Sequence, residues 1–182
     1  MRANHKRLKG LQAERGAALI ISLVFMLILT IIGAASMQSA TLQERMAGNA
    51  RNLEQAFQAA EAALREAEIE LAKVSVGPFN GGGGLYLSCA DPADTRISCK
   101  EPAWNDHSSK GWNVLASNTV TGVSQQPEFI IEEMSSVADP DAALDSDRPI
   151  ATMGYYRVTA RGYGSSDRGM VVLSTTYKRD GI

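Results

Sequence analysis

Several groups of residues in this chain could do chemistry, and each has a spacing that the chemistry either accepts or refuses. Asp106-His107-Ser108 sets an acid, a base and a hydroxyl side by side. A hydrolytic triad needs those groups to converge from separate parts of a fold, with the base in hydrogen-bond reach of the hydroxyl, and adjacency in sequence does not supply that geometry. The chain's other histidine is His5. Gly81-Gly82-Gly83-Gly84 invites a phosphate-loop reading, but such a loop follows a strand and ends in Gly-Lys-Ser/Thr, and neither feature is present. Asp139, Asp141, Asp145 and Asp147 place four carboxylates in nine residues, hard oxygen donors of the kind calcium takes. The turn Gly and twelfth-position Glu of an EF-hand loop are missing, so a solvated acidic loop is the plainer reading. Cys89 and Cys99 could form a disulfide or offer two thiolates, and two thiolates alone make a poor zinc site. These groups lead us to expect no catalytic residue, no metal and no cofactor.

The elements that carry them are organised by a membrane segment. Residues 17–37 hold no charge and only Ser22, Thr30 and Ser36 as polar side chains, and the next charge is Glu44. At about 1.5 Å per residue this run crosses a hydrocarbon core of about 30 Å as a helix. Arg2, Lys6, Arg7, Lys9 and Arg15 precede it, against the single acid Glu14, so the N-terminus is expected in the cytoplasm and the C-terminal side outside it. A cleaved secretory signal would have an apolar core of about 7–15 residues closed by a small-residue cleavage site; here the run is longer and continues as helix-forming sequence through residues 38–45. Both cysteines therefore lie on the exported, oxidising side, which favours a Cys89–Cys99 disulfide. Closing so short a loop contributes about 2–3 kcal/mol in the chain-entropy model.

With 182 residues, 45% hydrophobic and 21% charged, the chain accommodates one modest domain plus the span. A net charge of −2 offers no basic face for nucleic acid. Beyond the span, Leu42, Met46, Ala50, Leu53, Phe57, Ala60, Leu64, Ala67, Leu71 and Val74 recur every three or four residues, the period of one amphipathic helix. Gly77-Pro78 stops it, so the helix is predicted from residue 17 to residue 76, about 90 Å at its usual rise. A free coiled coil would use the same stripe. Its alanines suit close packing on a sheet better, and residues 53–74 are expected to be the covered part. Gly48-Asn49 is the weakest helical point, because Gly costs about 1 kcal/mol relative to Ala.

After the helix, residues 79–84 read as a flexible connector and residues 85–118 as irregular. Strand signals come late, at residues 127–134, at 155–161, where Tyr156, Val158 and Ala160 share one face and Arg157 and Arg161 the other, and at 170–178. The turn at residues 162–169 makes the last two a hairpin. Long helix first and strands afterwards predict an α+β fold, the helix packed on a C-terminal antiparallel sheet.

Glu14-Arg15-Gly16-Ala17-Ala18-Leu19-Ile20-Ile21 places one Gly between the last charge of the basic stretch and the apolar run. In this the chain resembles the type IV pilin family, and Thr41-Leu42-Gln43-Glu44-Arg45-Met46-Ala47-Gly48-Asn49 with Ala56-Phe57-Gln58-Ala59-Ala60-Glu61-Ala62-Ala63-Leu64 resembles the N-terminal region of its minor pilins. Arg157 to Gly162 and Val171 to Tyr177 are similar to their last strands, leaving residues 77–150 unmatched. The resemblance implies a leader at residues 1–16 removed after Gly16 by a prepilin peptidase, with Ala17 as the methylated new terminus. Loss of the leader takes away five basic and one acidic residue, moving the charge from −2 to −6. It further implies a transmembrane part at residues 17–39, a periplasmic amphipathic helix at 40–76 and a periplasmic domain at 77–182. The protein would then be stored in the inner membrane and assembled into a pilus at the cell surface.

The implied partners are other minor pilins, the major pilin and a tip adhesin, with no nucleic acid. In most pilins the fifth residue after the cleaved Gly is a Glu that neutralises a neighbour's terminal amine; here it is Ile21. That departure implies a non-enzymatic subunit of a tip or priming complex. A minor pseudopilin of type II secretion and a single-pass coiled-coil scaffold are the alternatives, and cleavage after Gly16 separates the pilins from the scaffold. Related pseudopilins bind calcium, which keeps that reading of the 139–147 loop open.

Overall fold

The computed structural model describes residues 14–138, 152–166 and 168–179. Helix α1, Glu14–Leu71, is helical through Gly48, and the chain divides into two compact units between Gly48 and Asn49. In the first unit the described side chains from Gly16 onward are all exposed. The hydroxyls of Ser22, Thr30 and Ser36 donate to the carbonyls of Leu19, Leu27 and Ile32 at 2.7–2.9 Å, so the polar groups of the apolar run are satisfied within the helix, as a hydrocarbon environment requires.

The second unit joins residues 49–71 of α1 to a six-stranded sheet made of β1 (Leu85–Leu87), β2 (Asn113–Val114), β3 (Glu128–Glu133), β4 (Val137–Ala138), β5 (Thr152–Tyr163) and β6 (Met170–Arg179). The long strands β3, β5 and β6 cover the three segments expected to be strands, of which 155–161 alternates with period two, and β5 and β6 form an antiparallel hairpin of ten consecutive pairs, from Gly154↔Arg179 to Tyr163↔Met170. The sheet is mixed where an antiparallel one was expected: β1 runs parallel to β3, Leu85 opposite Ile131. Both β1 and β2 fall in the stretch expected to be irregular, since strands of two and three residues show too few alternations to declare themselves.

The helix ends at Leu71, five residues before the expected stop. Lys73 N–H reaches back only to the Glu70 carbonyl, a tightened last turn, and Arg179 at the end of β6 donates to the carbonyls of Lys73 and Val74 at 2.7 and 2.8 Å. An incoming guanidinium satisfies the orphan carbonyls that further turns would have used.

The packed face is also rotated from the one the stripe predicts. Ala56, Ala59, Ala60, Ala63, Ala67 and Leu71 are fully buried, whereas Leu53, Phe57 and Val74 are exposed. The sheet selects the small residues because β5 lies against the helix main chain: a Cβ on Gly162 would meet Ala60 N at 2.2 Å and Ala56 O at 2.3 Å. Along β5 the residues on this face shrink toward that contact, from Tyr156 through Val158 and Ala160 to Gly162. Phe129, Ile131, Val158 and Tyr156 complete the core with Ala63, Ala67 and Leu71.

Gly81 to Gly84 form a packed turn and not a flexible connector. Gly81, Gly83 and Gly84 have positive φ, Gly81 sits on the backbone of Ile97 and Gly84 on the carbonyl of Phe129, and the Gly84 carbonyl accepts from Ile131 N–H at 2.7 Å.

Candidate functional site

At the head of α1 the structure places Gly16, Ala17 and Ile21 within little more than one turn, all exposed, with Ile21 at 56%. Ala17 and Ile21 stand four residues apart and so share a helix face. The side chain at position 21 is thus aligned with the terminus that cleavage after Gly16 would create, and it carries no charge. Within Gly16–Leu71, an 18-residue window with mean hydropathy 2.8 and no buried share makes this helix long and apolar enough to cross a membrane.

A second set of side chains lies on the sheet face turned away from α1. Arg161, 1% exposed, pairs through Nε with Glu128, its register partner on β3. Nη1 donates to the Asp106 carbonyl at 2.7 Å and to Ser109 Oγ at 3.1 Å, and Nη2 to the Ser109 carbonyl at 3.2 Å. The guanidinium lies 4.1 Å from the centre of the Trp112 ring. Tyr163 donates to Glu128 Oε1 at 3.0 Å, and burial, with the Glu128 charge beside it, pushes its phenol well above the ordinary value. The guanidinium fork therefore fastens the loop around residues 103–112 onto the sheet. This is an anchoring arrangement that the sequence reading missed. Its one sequence signal was the placement of Arg161 opposite the core face.

The same loop holds Asp106, His107 and Ser108. Ser108 donates its hydroxyl to Asp106 at 2.7 Å and its N–H to the same oxygen at 2.8 Å, which holds the Asp106 carboxyl below its ordinary range. The His107 ring lies 5.8 Å from the Tyr163 ring, tilted against it at 57°. The hydroxyl thus serves a local turn instead of the imidazole.

Cys89 and Cys99 are joined in a disulfide, with Cα atoms 5.5 Å apart across ten residues. Asp94 is close to both sulfurs, within 4.8 Å, but the sulfurs are bonded to each other. Arg96 takes the Asp94 carboxylate at 2.7 Å and, chiefly by that hydrogen bond, lowers it to about 2. In this oxidised form the three do not make a cation site. Asp139, Asp141, Asp145 and Asp147 lie outside the described residues.

An apolar, uncovered helix that continues as the packed spine of a small mixed sheet, with a disulfide-closed loop beside it, defines a membrane-anchored pilin-like subunit. Residues 15–65 match the family model described as PilX N-terminal, and residues 71–179 match the one described as type IV pilus assembly protein PilX C-term. The chain belongs to the PilX family of type IV pilus assembly proteins and is a minor pilin. The second match also spans residues 77–150, which the motif resemblance leaves unmatched. Comparison with curated proteins and with solved structures finds no match. Membership assigns the chain a structural role in pilus assembly and, with it, interaction with other pilus components.

Proposed function

We propose that this minor pilin acts in the priming complex at the pilus tip, beside other minor pilins, and is not repeated along the shaft. The observation that carries the reading is Ile21, uncharged on the same helix face as Ala17. An amine buried unpaired in an apolar filament core is costly. A subunit without a carboxylate at position 21 cannot neutralise the amine of a subunit ahead of it. It still presents its own Ala17 amine to the carboxylate of the subunit added next, so it loses nothing at the position with no predecessor.

This reading takes residues 1–16 as a leader that prepilin peptidase removes, Ala17 as the methylated terminus, and residues 17–39 as a single inner-membrane pass. Residues 40–76 then continue the helix into the periplasm, where residues 77–182 form the domain. The basic charges before the span support that orientation. The major pilin and a tip adhesin are the further partners it proposes.

Immunogold labelling of sheared pili is the test: label confined to one end is expected, and regular label along the length rejects priming. Intact-mass analysis of membrane-extracted protein checks the processing. A chain starting at methylated Ala17 is expected, and one that retains residues 1–16 in a piliated cell rejects that part.

A further inference from the structure

Cys89, Asp94 and Cys99 follow one another at intervals of five residues, and the fold draws that spacing into a cluster. The two sulfurs and a carboxylate oxygen lie within 4.8 Å of one another, each residue half-buried. The bridge explains the closeness of the sulfurs but not that of Asp94, and it is not alone in holding the ends of the loop. Ser88 N–H, beside Cys89, donates to the Glu133 carbonyl on β3 at 2.8 Å. Cys99 ends the 3-10 turn Ile97–Cys99, which is closed by Cys99 N–H on the Arg96 carbonyl at 3.0 Å and packs on Gly81. Opening the disulfide therefore leaves both cysteines on anchored backbone, their Cα atoms starting 5.5 Å apart.

With the bridge open, the donors are two thiolates and a carboxylate, a set that suits a zinc-class cation. Thiolates at about 2.3 Å and a carboxylate oxygen at about 2.1 Å from a tetrahedral ion stand about 3.6–3.8 Å from each other. That is inside the distance the three groups already share. Arg96 supplies the surroundings of such a site. Its Nε and Nη2 hold Asp94 at 2.7–3.1 Å, and Nη2 also donates to Cys89 Sγ at 3.8 Å; outer donors of this kind fix the orientation of ligating groups. A carboxylate has lone pairs enough to serve the guanidinium and an ion together. The charges balance as well, since two thiolates and one carboxylate are met by a divalent ion and one guanidinium. Cys89, Asp94 and Arg96 line an open pocket shared with Ser88 and Asp91, which gives an ion its entry and a water the fourth position.

We propose that the 89–99 loop exchanges its disulfide for a bound zinc-class cation, held by Cys89 Sγ, Cys99 Sγ and the Asp94 carboxylate, whenever an external dithiol opens the bridge. In that exchange the dithiol gives up two electrons and two protons and becomes a disulfide, while the bridge becomes two thiols. The cation then displaces both thiol protons to solvent as it takes the sulfurs. Either closure ties the loop at the same two residues. The proposal does not depend on Ile21, on removal of residues 1–16 or on the place of the subunit in the filament.

The test is metal titration of the full chain in detergent, reduced with a phosphine that is then removed in the absence of air. Co²⁺ is the spectroscopic probe and Zn²⁺ its competitor. The reduced chain should bind a single Co²⁺ with a thiolate charge-transfer band and the visible bands of a tetrahedral ion, and Zn²⁺ should bleach them. Hydrogen exchange in the 89–99 loop, faster after reduction, should slow again with Zn²⁺. Asp94→Asn should weaken Zn²⁺ binding at least tenfold and Arg96→Gln about tenfold, and the oxidised chain should bind neither ion. Proton release by the reduced parent needs no variant, and close to two protons per ion are expected below the thiol titration range. No tetrahedral spectrum in the reduced parent, a spectrum that requires two chains per ion, unchanged affinity in Asp94→Asn, or equal binding by the oxidised chain each overturns the proposal.

Discussion

Replacing Gly162 by Ala should detach the hairpin from the helix, and the size of the effect follows from three distances. The added Cβ would lie 2.2 Å from Ala60 N, 2.3 Å from Ala56 O and 2.8 Å from the Ala59 carbonyl carbon. All three are main-chain atoms of α1, so no rotamer change can clear them, and β5 must retreat by about 1 Å to reach ordinary van der Waals separation. On the helix side, the methyls of Ala56, Ala59, Ala60, Ala63 and Ala67 plus the Leu71 side chain represent roughly 6 kcal/mol of burial, at about 0.8 kcal/mol per methyl and about 2 for Leu. A gap of about 0.5–1 Å forfeits a quarter to a half of the contact well, or roughly 1.5–3 kcal/mol here. Residual overpacking adds about 1–3 kcal/mol. The expected loss is thus about 2.5–6 kcal/mol, a large share of a domain stability of about 5–15 kcal/mol. Urea unfolding of the detergent-solubilised chain, followed by tryptophan fluorescence, measures it. Because the clash is with the Ala60 nitrogen and not its methyl, Ala60→Gly should fail to rescue the variant and should add about 1 kcal/mol of helix cost. A Gly162→Ala loss under about 1 kcal/mol, or recovery with Ala60→Gly, would refute the main-chain contact as the reason for the alanine face.

Arg161→Met strands the Glu128 carboxylate and should cost about 3–5 kcal/mol in the same unfolding assay, with part recovered when Glu128→Gln is added. A double-mutant cycle reports the coupling, and hydrogen exchange should show faster opening of the loop around residues 103–112. Glu132 is held above its ordinary value of 4.5, chiefly by burial and against the opposing pull of Arg157, so the native state keeps a proton that the unfolded chain has already released. That contribution is complete below about 4.5 and is lost as pH rises through the higher folded value. Melting of Glu132→Gln against the parent should accordingly shift in the variant's favour between pH 4 and pH 7, since the partner it gives up, Arg157 at 3.6 Å, is a part-exposed pair worth about 0–1 kcal/mol. Replacing Cys89 and Cys99 with Ser should cost about 2–3 kcal/mol and raise exchange first in the 89–99 loop. Equal loss of protection in the β5–β6 hairpin would show that the bridge does more than constrain its loop.

The span and the hairpin were legible because their signals leave one reading: an uncharged run beyond twenty residues, and two β-rich segments around a turn, the first alternating with period two over residues 155–161. The helix face was misplaced by about one position for a reason internal to the pattern. Leu53 and Phe57 dominate any stripe weighted by hydrophobicity, but near Gly162 this sheet approaches so closely that it accepts only methyl groups, and those two bulky residues are left facing outward. The warning stood in β5, where Tyr156, Val158, Ala160 and Gly162 shrink along one face. A Gly at the end of a core-facing series indicates main chain against main chain. The Arg161 anchor was less accessible. Its partner Glu128 is set by register with a strand 33 positions earlier, and the carbonyls it binds belong to a loop with no period at all.

The head of α1 behaves differently from the rest. Gly16, Ala17 and Ile21 are exposed and touch nothing that would assign them a role; on the proposed reading their meaning lies in the charge that cleavage after Gly16 would create, and in whether a carboxylate answers it. A carboxylate missing from that position is visible in sequence and invisible in packing. Arg161 and Gly162 are the converse, unremarkable in composition and fixed by contact. The domain is specified by how closely β5 can approach the helix, whereas the proposed assembly role rests on one side chain of the apolar run. Gly162→Ala should therefore lower the stability of the subunit, whereas Ile21→Glu should leave stability unchanged and, on the priming proposal, alter only where in the filament the subunit is found.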